Sequence, residues 1–378
     1  MSDIGNALFS EFDATTKDQW LKHIEKDLKG RTINELDWKL PYLTVAPFAH
    51  VQDFDGHFPT PITQISAEKN RWDIVANIRV KGDEKQANKQ ALAALIGGAN
   101  AICFFVDDFP NASDLNILLD TIELDYISTF FSEKTANKNP LSFLKSFYDI
   151  AKSKQKDPKI LRGGIHYDPF ADGRQDIKAT TELLLWTQEH LPKFKVIIVR
   201  GTPFFKGSEN VVEELTGMIN SAHNYLNKLI NKDLDIKIIV QRMAFNCIIG
   251  ISYFIEIAKL RALKLLWGNI LAAYDTIPVL PTIYASIAAA TSVEDSNNHK
   301  IRATTQAMSA IIGGVNALAI DTIEYDATFH QRIGLNTQHI LQMESYLDQV
   351  KDAAAGSFYI EQLTNQITEK TWERFRNL

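Results

Sequence analysis

The sequence predicts an α/β protein whose main body is a (β/α)8 TIM barrel, preceded by an N-terminal helix and an extended arm. Two observations predict this fold. From residue 72 onward, eight short runs rich in Val, Ile, Phe and Leu alternate with longer helical stretches, as in βα units that feed a parallel sheet. A twelve-residue segment also occurs twice, next to the second and the eighth of these runs. Eight strands, each followed by a helix, is the number that closes such a barrel.

The first predicted element is an amphipathic helix within residues 12–30. Its apolar side chains recur at helical spacing among Lys, Glu and Asp. They are Trp20, Leu21, Ile24 and Leu28. We expect the helix to end at Gly30, because glycine readily adopts the left-handed conformation that closes many helices.

The segment from about 40 to 70 is rich in proline and shows little periodicity, which predicts a long connecting arm. Arms of this length usually carry a function or wrap a neighbouring surface. We therefore divide the chain into residues 1–70, the helix and arm, and residues 71–378, the barrel with its C-terminal helices.

The predicted barrel strands are short apolar runs. They lie near residues 74–80, 101–106, 124–130, 161–166, 195–200, 236–241, 279–285 and 317–320. The helical candidates between them are 84–96, 141–152, 180–190, 210–230, 251–267 and 301–312.

The internal repeat sharpens the barrel prediction. Residues 91–102 recur at 307–318 with a glycine pair in the same place, Gly97-Gly98 and Gly313-Gly314. If the two copies precede strands two and eight, the offset gives about 36 residues per βα unit, which suits a barrel of this size. Each glycine pair follows a helix, whereas a phosphate-binding loop precedes one, so we expect it to end the helix and turn into a strand.

Composition excludes several classes of protein. The net charge of −6 is spread in mixed runs, which argues against a nucleic-acid surface or a basic membrane patch. The two cysteines, Cys103 and Cys247, lie in apolar stretches and indicate neither a disulfide framework nor a zinc site. The sequence shows no signal peptide and no apolar run of about 18 residues. We therefore expect a soluble cytoplasmic protein.

Common catalytic motifs are missing from the sequence, and no two histidines have the i, i+4 spacing of a helical metal site. His166 follows the fourth predicted strand, and barrel active sites form at the carboxyl ends of strands. Asp168 could tune it as an acid or base. These two residues are our candidates for substrate binding, and the simpler alternative is a loop histidine that only forms hydrogen bonds.

Four segments of the second half resemble the adenosylcobalamin-dependent acyl-CoA mutase family. Residues 254–267, FIEIAKLRALKLLW, are similar to that family's helix after strand six. The Arg302-Ala303-Thr304 helix with its glycine pair, residues 336–345 and residues 352–361 also resemble family motifs. Near the N-terminus, Trp20 and the segment EKDLKG at 25–30 resemble the small chain of two-chain members.

The resemblance implies a radical carbon-skeleton rearrangement, such as that of methylmalonyl-CoA to succinyl-CoA. Adenosylcobalamin starts the radical, and the acyl-CoA threads the barrel axis to meet it in a dry cavity. Such chemistry needs a tyrosine and a histidine at the substrate, together with arginines for its charged groups.

This chain departs from the family pattern at the reacting positions. In strand one, Asn70 and Val75 replace two arginines and Asn77 replaces the tyrosine. After strand five, Pro203 stands where the histidine should be, and proline has no donor or titratable group. The resemblance thus implies that this chain has no catalytic residues of its own.

The chain also departs from the family pattern for cobalamin binding. The family binds cobalamin through a further domain with the pattern Asp-x-His-x-x-Gly, and no such domain is recognisable before Leu378. Asp55-Gly56-His57 begins the pattern, but Thr60 stands at the glycine position, and we interpret the match as coincidence. We expect no cofactor and no metal bound by this chain, with adenosylcobalamin held by a partner.

The resulting hypothesis is a non-catalytic small subunit in a heterodimer with a larger catalytic mutase chain. One alternative is a mutase for another acyl-CoA that uses a separate cobalamin-binding chain, with His166 or Tyr167 replacing the missing groups. The other alternative is a module that binds a CoA ester without catalysis.

Overall fold

In a computed structural model of the chain, the described residues are those with a definite placement. They are 13, 15–54, 69–133, 140–171, 173, 176–232, 234–287, 296–320 and 327–378. Asp55, His57 and Thr60 of the Asp-x-His match lie outside them.

The N-terminal region is a helix and a small hairpin. Helix α1 (Lys17–Asp27) starts at a capping box between Thr16 and Gln19 and is followed by Gly30 at a positive φ of 95°, as expected. None of its residues is buried. The antiparallel strands β1 (Trp38–Leu40) and β2 (Leu43–Val45), in contrast, contribute buried apolar side chains to the main core.

The barrel strands are parallel and follow one another around the sheet. They are β3 (Asp73–Arg79), β4 (Ala101–Val106), β5 (Ser128–Glu133), β6 (Arg162–Ile165), β7 (Phe194–Lys195), β8 (Ile197–Arg200), β9 (Met243–Ile249), β10 (Ile283–Ile287) and β11 (Ala317–Ala319). The order in the sheet is β7-β6-β5-β4-β3-β11-β10-β9-β8. The two ends of this order, β7 and β8, are consecutive in the chain and interrupted only at Val196, so they are the two halves of the fifth strand and close an eight-stranded barrel. The fold class predicted from the sequence is confirmed.

Helices surround the barrel. They are α2 (Glu84–Ile96), α3 (Ala112–Leu118), α4 (Pro140–Ser153), α5 (Ile177–His190), α6 (Val211–Ile230), α7 (Ile236–Arg242), α8 (Tyr253–Ala273), α9 (Ser296–Ile312), α10 (Ala327–Met343) and α11 (Phe358–Arg376). The main core lies between these helices and the outward faces of the strands. No helix in the described part of the chain has both the length and the apolar character needed to span a bilayer.

One predicted strand is wrong. Residues 236–241 form helix α7, because Asp235 caps it by accepting a hydrogen bond from the Lys237 amide at 2.8 Å. The sixth barrel strand is instead β9, which follows immediately. A short apolar run fits a strand and a buried helical turn equally well, so length and cap decide. The third strand also lies later than predicted, at Ser128–Glu133.

The internal repeat corresponds to two equivalent helix-to-strand turns. Gly98 and Gly314 have φ values of 95° and 78° and end α2 and α9. The asparagine two residues later then bonds to the preceding strand: Asn100 Oδ1 accepts from the Ile74 amide at 2.6 Å, and Asn316 Oδ1 accepts from the Ile283 amide at 2.8 Å. The copies precede strands two and eight, as predicted.

Candidate functional site at the carboxyl end of the barrel

The barrel lumen contains a small apolar cluster separate from the main core. Successive side chains of a strand point to opposite faces, so Ile74 and Ala76 face the helices while Val75 faces the lumen. The lumen cluster, as we call it, consists of Val75, Ala101, Cys103, Phe130, Ala317 and Ala319, with Tyr284 packed against it. The alanines are small and leave space at the barrel axis. The rings of Phe130 and Tyr284 occupy that space.

Two aromatic rings meet across this lumen. Phe130 lies on the third barrel strand and Tyr284 on the seventh, which are opposite walls of an eight-stranded barrel. Their ring centroids are 4.9 Å apart at an interplanar angle of 67°, an edge-to-face contact. Burial raises the pKa of Tyr284, and the nearby Asp73 raises it further. The aromatic pair therefore crosses the lumen with two uncharged side chains.

The first-strand positions carry no reacting group. Val75 belongs to the lumen cluster. Asn77, two residues further along the same face, is half-buried, and its carbonyl oxygen accepts from Gln331 Nε2 at 3.2 Å. Both residues border a small cavity against α10 that Gln338 also lines. This arrangement offers amides and aliphatic groups only.

Asn70 has a structural role. Its side-chain amide donates to the carbonyl oxygens of Ile311 at 2.9 Å and Leu347 at 3.2 Å. Its backbone amide donates to the Asp348 carbonyl oxygen at 2.7 Å. Asn70 therefore ties the start of β3 to the end of α9 and to the segment after α10.

His166 lies just beyond β6, as predicted. Its backbone amide donates to the Phe131 carbonyl oxygen at 2.8 Å, and its ring centroid is 6.3 Å from that of Phe130. Burial and the positive charge of Arg200 lower the pKa of His166 to about 4. The imidazole is therefore neutral at pH 7 and borders the aromatic pair.

Asp168 is an anchor within the protein. It is 1% exposed, and it accepts hydrogen bonds from the Tyr225 hydroxyl at 2.7 Å and the Arg200 amide at 2.9 Å. Burial raises its pKa, although these hydrogen bonds oppose the shift. The Tyr225 ring stacks on Phe170 with centroids 3.9 Å apart. Asp168 thus fixes the loop after β6 to β8 and α6, and its oxygens face protein donors.

Pro203 lies in the loop that follows β8 and is exposed to solvent. The loop turns tightly, because the amides of Phe204 and Phe205 both donate to the Gly201 carbonyl oxygen, at 2.9 and 3.0 Å. Phe204 packs directly against Gly217 of α6. The loop contributes neither a proton donor nor a base at the position of Pro203.

Three buried ionisable side chains beneath this loop were missed by the sequence interpretation. Glu214 on α6 and Glu256 and Lys259 on α8 form a group that we call the Glu–Lys–Glu triad. Lys259 Nζ lies 2.6 Å from Glu256 Oε2 and 3.1 Å from Glu214 Oε2, and all three side chains are fully buried. The spacing of Glu256 and Lys259 within a largely apolar helix was the available signal, because charges on a buried face need partners.

The predicted candidates are therefore only partly brought together. His166 borders the aromatic pair, whereas Asp168 faces α6 and β8, and Pro203 is exposed on a loop. Among the described side chains, no three His, Cys, Asp or Glu residues gather as metal ligands would.

These features define a class: an eight-stranded α/β barrel whose lumen is crossed by an aromatic pair. Residues 109–378 match the family model described as methylmalonyl-CoA mutase. The chain belongs to the methylmalonyl-CoA mutase family.

Relatives named as small subunits match along almost the whole chain. The methylmalonyl-CoA mutase small subunit of Porphyromonas gingivalis is 30% identical over 396 residues, covering 97% of this chain and 63% of that protein. That of Streptomyces virginiae is 24% identical and covers 100% of this chain and 66% of that protein. The large subunit of Porphyromonas gingivalis is 28% identical over 52% of this chain and 28% of its own length. The chain thus spans less than two thirds of the length of these relatives.

Proposed function

We propose that this chain is a non-catalytic, structural subunit that pairs with a larger methylmalonyl-CoA mutase chain. The partner would carry out the isomerisation of methylmalonyl-CoA and succinyl-CoA, and this chain would stabilise it. The observation that carries the proposal is the aromatic pair of Phe130 and Tyr284, because a lumen closed by two rings gives an extended acyl-CoA no path along the axis.

The replaced positions support the same assignment. Asn77 and Pro203 cannot supply the phenol and imidazole that the rearrangement requires, and Asn70 is occupied by backbone hydrogen bonds. His166 is neutral and packed near the aromatic pair, and Asp168 faces protein donors. The alternatives of another acyl-CoA mutase or a CoA-ester module would require an open lumen.

Adenosylcobalamin is assigned to the partner in this proposal. The Asp55-Gly56-His57 match has Thr60 in place of the glycine, so this chain's own sequence does not fit the binding pattern. A heterodimer is supported by the names of the relatives, because Porphyromonas gingivalis has both a small and a large subunit. A cytoplasmic location remains part of the proposal.

Co-expression of this chain with the large mutase subunit of the same organism tests the proposal. We expect the two to co-elute in sizing experiments, and we expect mutase turnover only when the large chain is present. Isothermal titration of this chain alone with methylmalonyl-CoA should give no binding heat. Turnover by this chain with added adenosylcobalamin, or elution as a monomer that ignores the large chain, would contradict the assignment.

A further inference from the structure

The Glu–Lys–Glu triad holds three ionisable side chains away from solvent. Besides its contacts with both carboxylates, Lys259 Nζ donates to the Ile248 carbonyl oxygen at 2.7 Å. Two carboxylates and one ammonium group sum to a charge of −1 if all three are ionised. An uncompensated charge in a solvent-free site is strongly unfavourable, and such a site commonly takes up or releases a proton instead.

The described residues around the triad supply no second positive charge. From β9, Cys247 faces the triad with a thiol whose pKa is raised by burial, so it is uncharged. From the loop after β8, the Ser208 hydroxyl donates to Glu256 Oε1 at 2.6 Å, and the Phe205 ring centroid lies 5.4 Å from Lys259 Nζ. In the described part of the chain, Lys259 is the single cation that forms an ion pair with either carboxylate.

The two carboxylates are not equivalent. Glu256 receives the Ser208 hydroxyl and the shorter contact from Lys259, and both favour its ionised form. Glu214 receives only the longer contacts from Lys259 Nζ, at 3.1 and 3.3 Å. Glu214 is therefore the carboxylate that gains more from protonation.

We propose that Glu214 holds a proton in the folded chain under conditions where an exposed glutamate is fully ionised, so that the triad carries no net charge. The electrostatics agree with this geometry. Burial, followed by the negative charge of Glu256, raises the pKa of Glu214 to about 7, against the attraction of Lys259.

The proton links folding to pH. Between the ordinary pKa of 4.5 and about 7, folded Glu214 keeps a proton that the unfolded chain has released to water. Unfolding in this window therefore releases that proton, and the contribution of Glu214 to stability falls as pH rises through it.

Thermal unfolding of the full chain tests the proposal through the variant Glu214→Gln, which keeps the shape of the side chain but cannot ionise. We expect the melting temperature of the variant to rise relative to that of the wild type between about pH 5 and about pH 8. The matched control is Glu213→Gln, since Glu213 is the neighbouring residue and pairs at the surface with Lys206 at 3.3 Å. We expect this variant not to reproduce the rise in melting temperature.

A second variant covers the case in which Glu214→Gln does not fold. Glu256→Gln also leaves one carboxylate for one lysine. Its melting temperature should therefore rise relative to that of the wild type over the same pH range. A difference that stays constant with pH, or that moves in favour of the wild type as pH rises, would show that Glu214 is ionised in the folded chain and would overturn the proposal.

Discussion

The barrel lumen is crossed by two uncharged aromatic side chains, whereas the space beneath the loop after β8 is filled by three ionisable ones. In the lumen, Phe130 and Tyr284 contact each other at 4.9 Å among alanines and Cys103. In the Glu–Lys–Glu triad, a lysine and two glutamates are buried completely. The first region lies between opposite strands of the barrel, and the second joins α6 to α8, the helix that includes the family-like segment 254–267.

The comparison distinguishes two roles of polar residues inside a barrel, which are to contact a substrate and to connect parts of the protein. At two positions where the family resemblance implies substrate contacts, Val75 packs in the lumen cluster and the Asn70 amide bonds to backbone oxygens. The charges of the triad bond to one another, to Ser208 and to the Ile248 carbonyl oxygen. They connect α6 and α8 to Ser208, which follows the loop after β8, and to β9.

Removing the cation of the triad should give the largest effect. Lys259→Met leaves two buried carboxylates without their partner, and breaking a buried ion pair on one side costs about 3–5 kcal/mol. Urea unfolding followed by circular dichroism measures this loss. The control is Lys206→Met, which breaks the exposed pair with Glu213 and should cost at most about 1 kcal/mol. Similar losses for both variants would contradict a structural role for the triad.

Opening the lumen should have the next largest effect. Phe130→Ala removes a ring that is 4% exposed, and such truncations cost about 3–5 kcal/mol. Because the site is lined by apolar groups, we expect the variant to gain a dry cavity that binds benzene or xenon. Phe105→Ala on β4 is the control, since Phe105 is 38% exposed and should cost about 1 kcal/mol. A Phe130→Ala chain with unchanged stability and no cavity would mean that the aromatic pair does not close the axis.

The sequence predicts those parts of the fold that depend on local signals. The sequence predicts helix α2 with its observed bounds. Both signals, the apolar spacing and the glycine at its end, lie within one short segment. The turns at Gly98 and Gly314 follow from a repeat that is visible in the sequence alone. The wrong strand at 236–241 shows the limit, because this short, mostly apolar run fits either structure until the cap at Asp235 is known.

The candidate site depends on contacts between distant segments. Phe130 and Tyr284 lie on opposite walls of the barrel, and no local pattern relates them. Glu256 and Lys259 are neighbours on one helix face, but Glu214 joins them only because α6 packs beside α8. Asp168 looked like a partner for His166 because the two are close in sequence, whereas the backbone turns the carboxylate toward Tyr225 and Arg200.

The smallest expected effect concerns the internal repeat, whose two asparagines accept equivalent hydrogen bonds from strand amides. Asn100→Ala and Asn316→Ala each remove the acceptor for one amide, that of Ile74 or Ile283, and each should cost about 1 kcal/mol. The aspartate variants keep an oxygen in the same position, so Asn100→Asp and Asn316→Asp should recover most of that loss. Unfolding midpoints of the four variants measure this. Because the two sites share one geometry, the two alanine variants should lose similar amounts of stability. Losses that differ several-fold, or aspartate variants no more stable than the alanine variants, would mean that the repeat reflects ancestry and not a shared hydrogen bond.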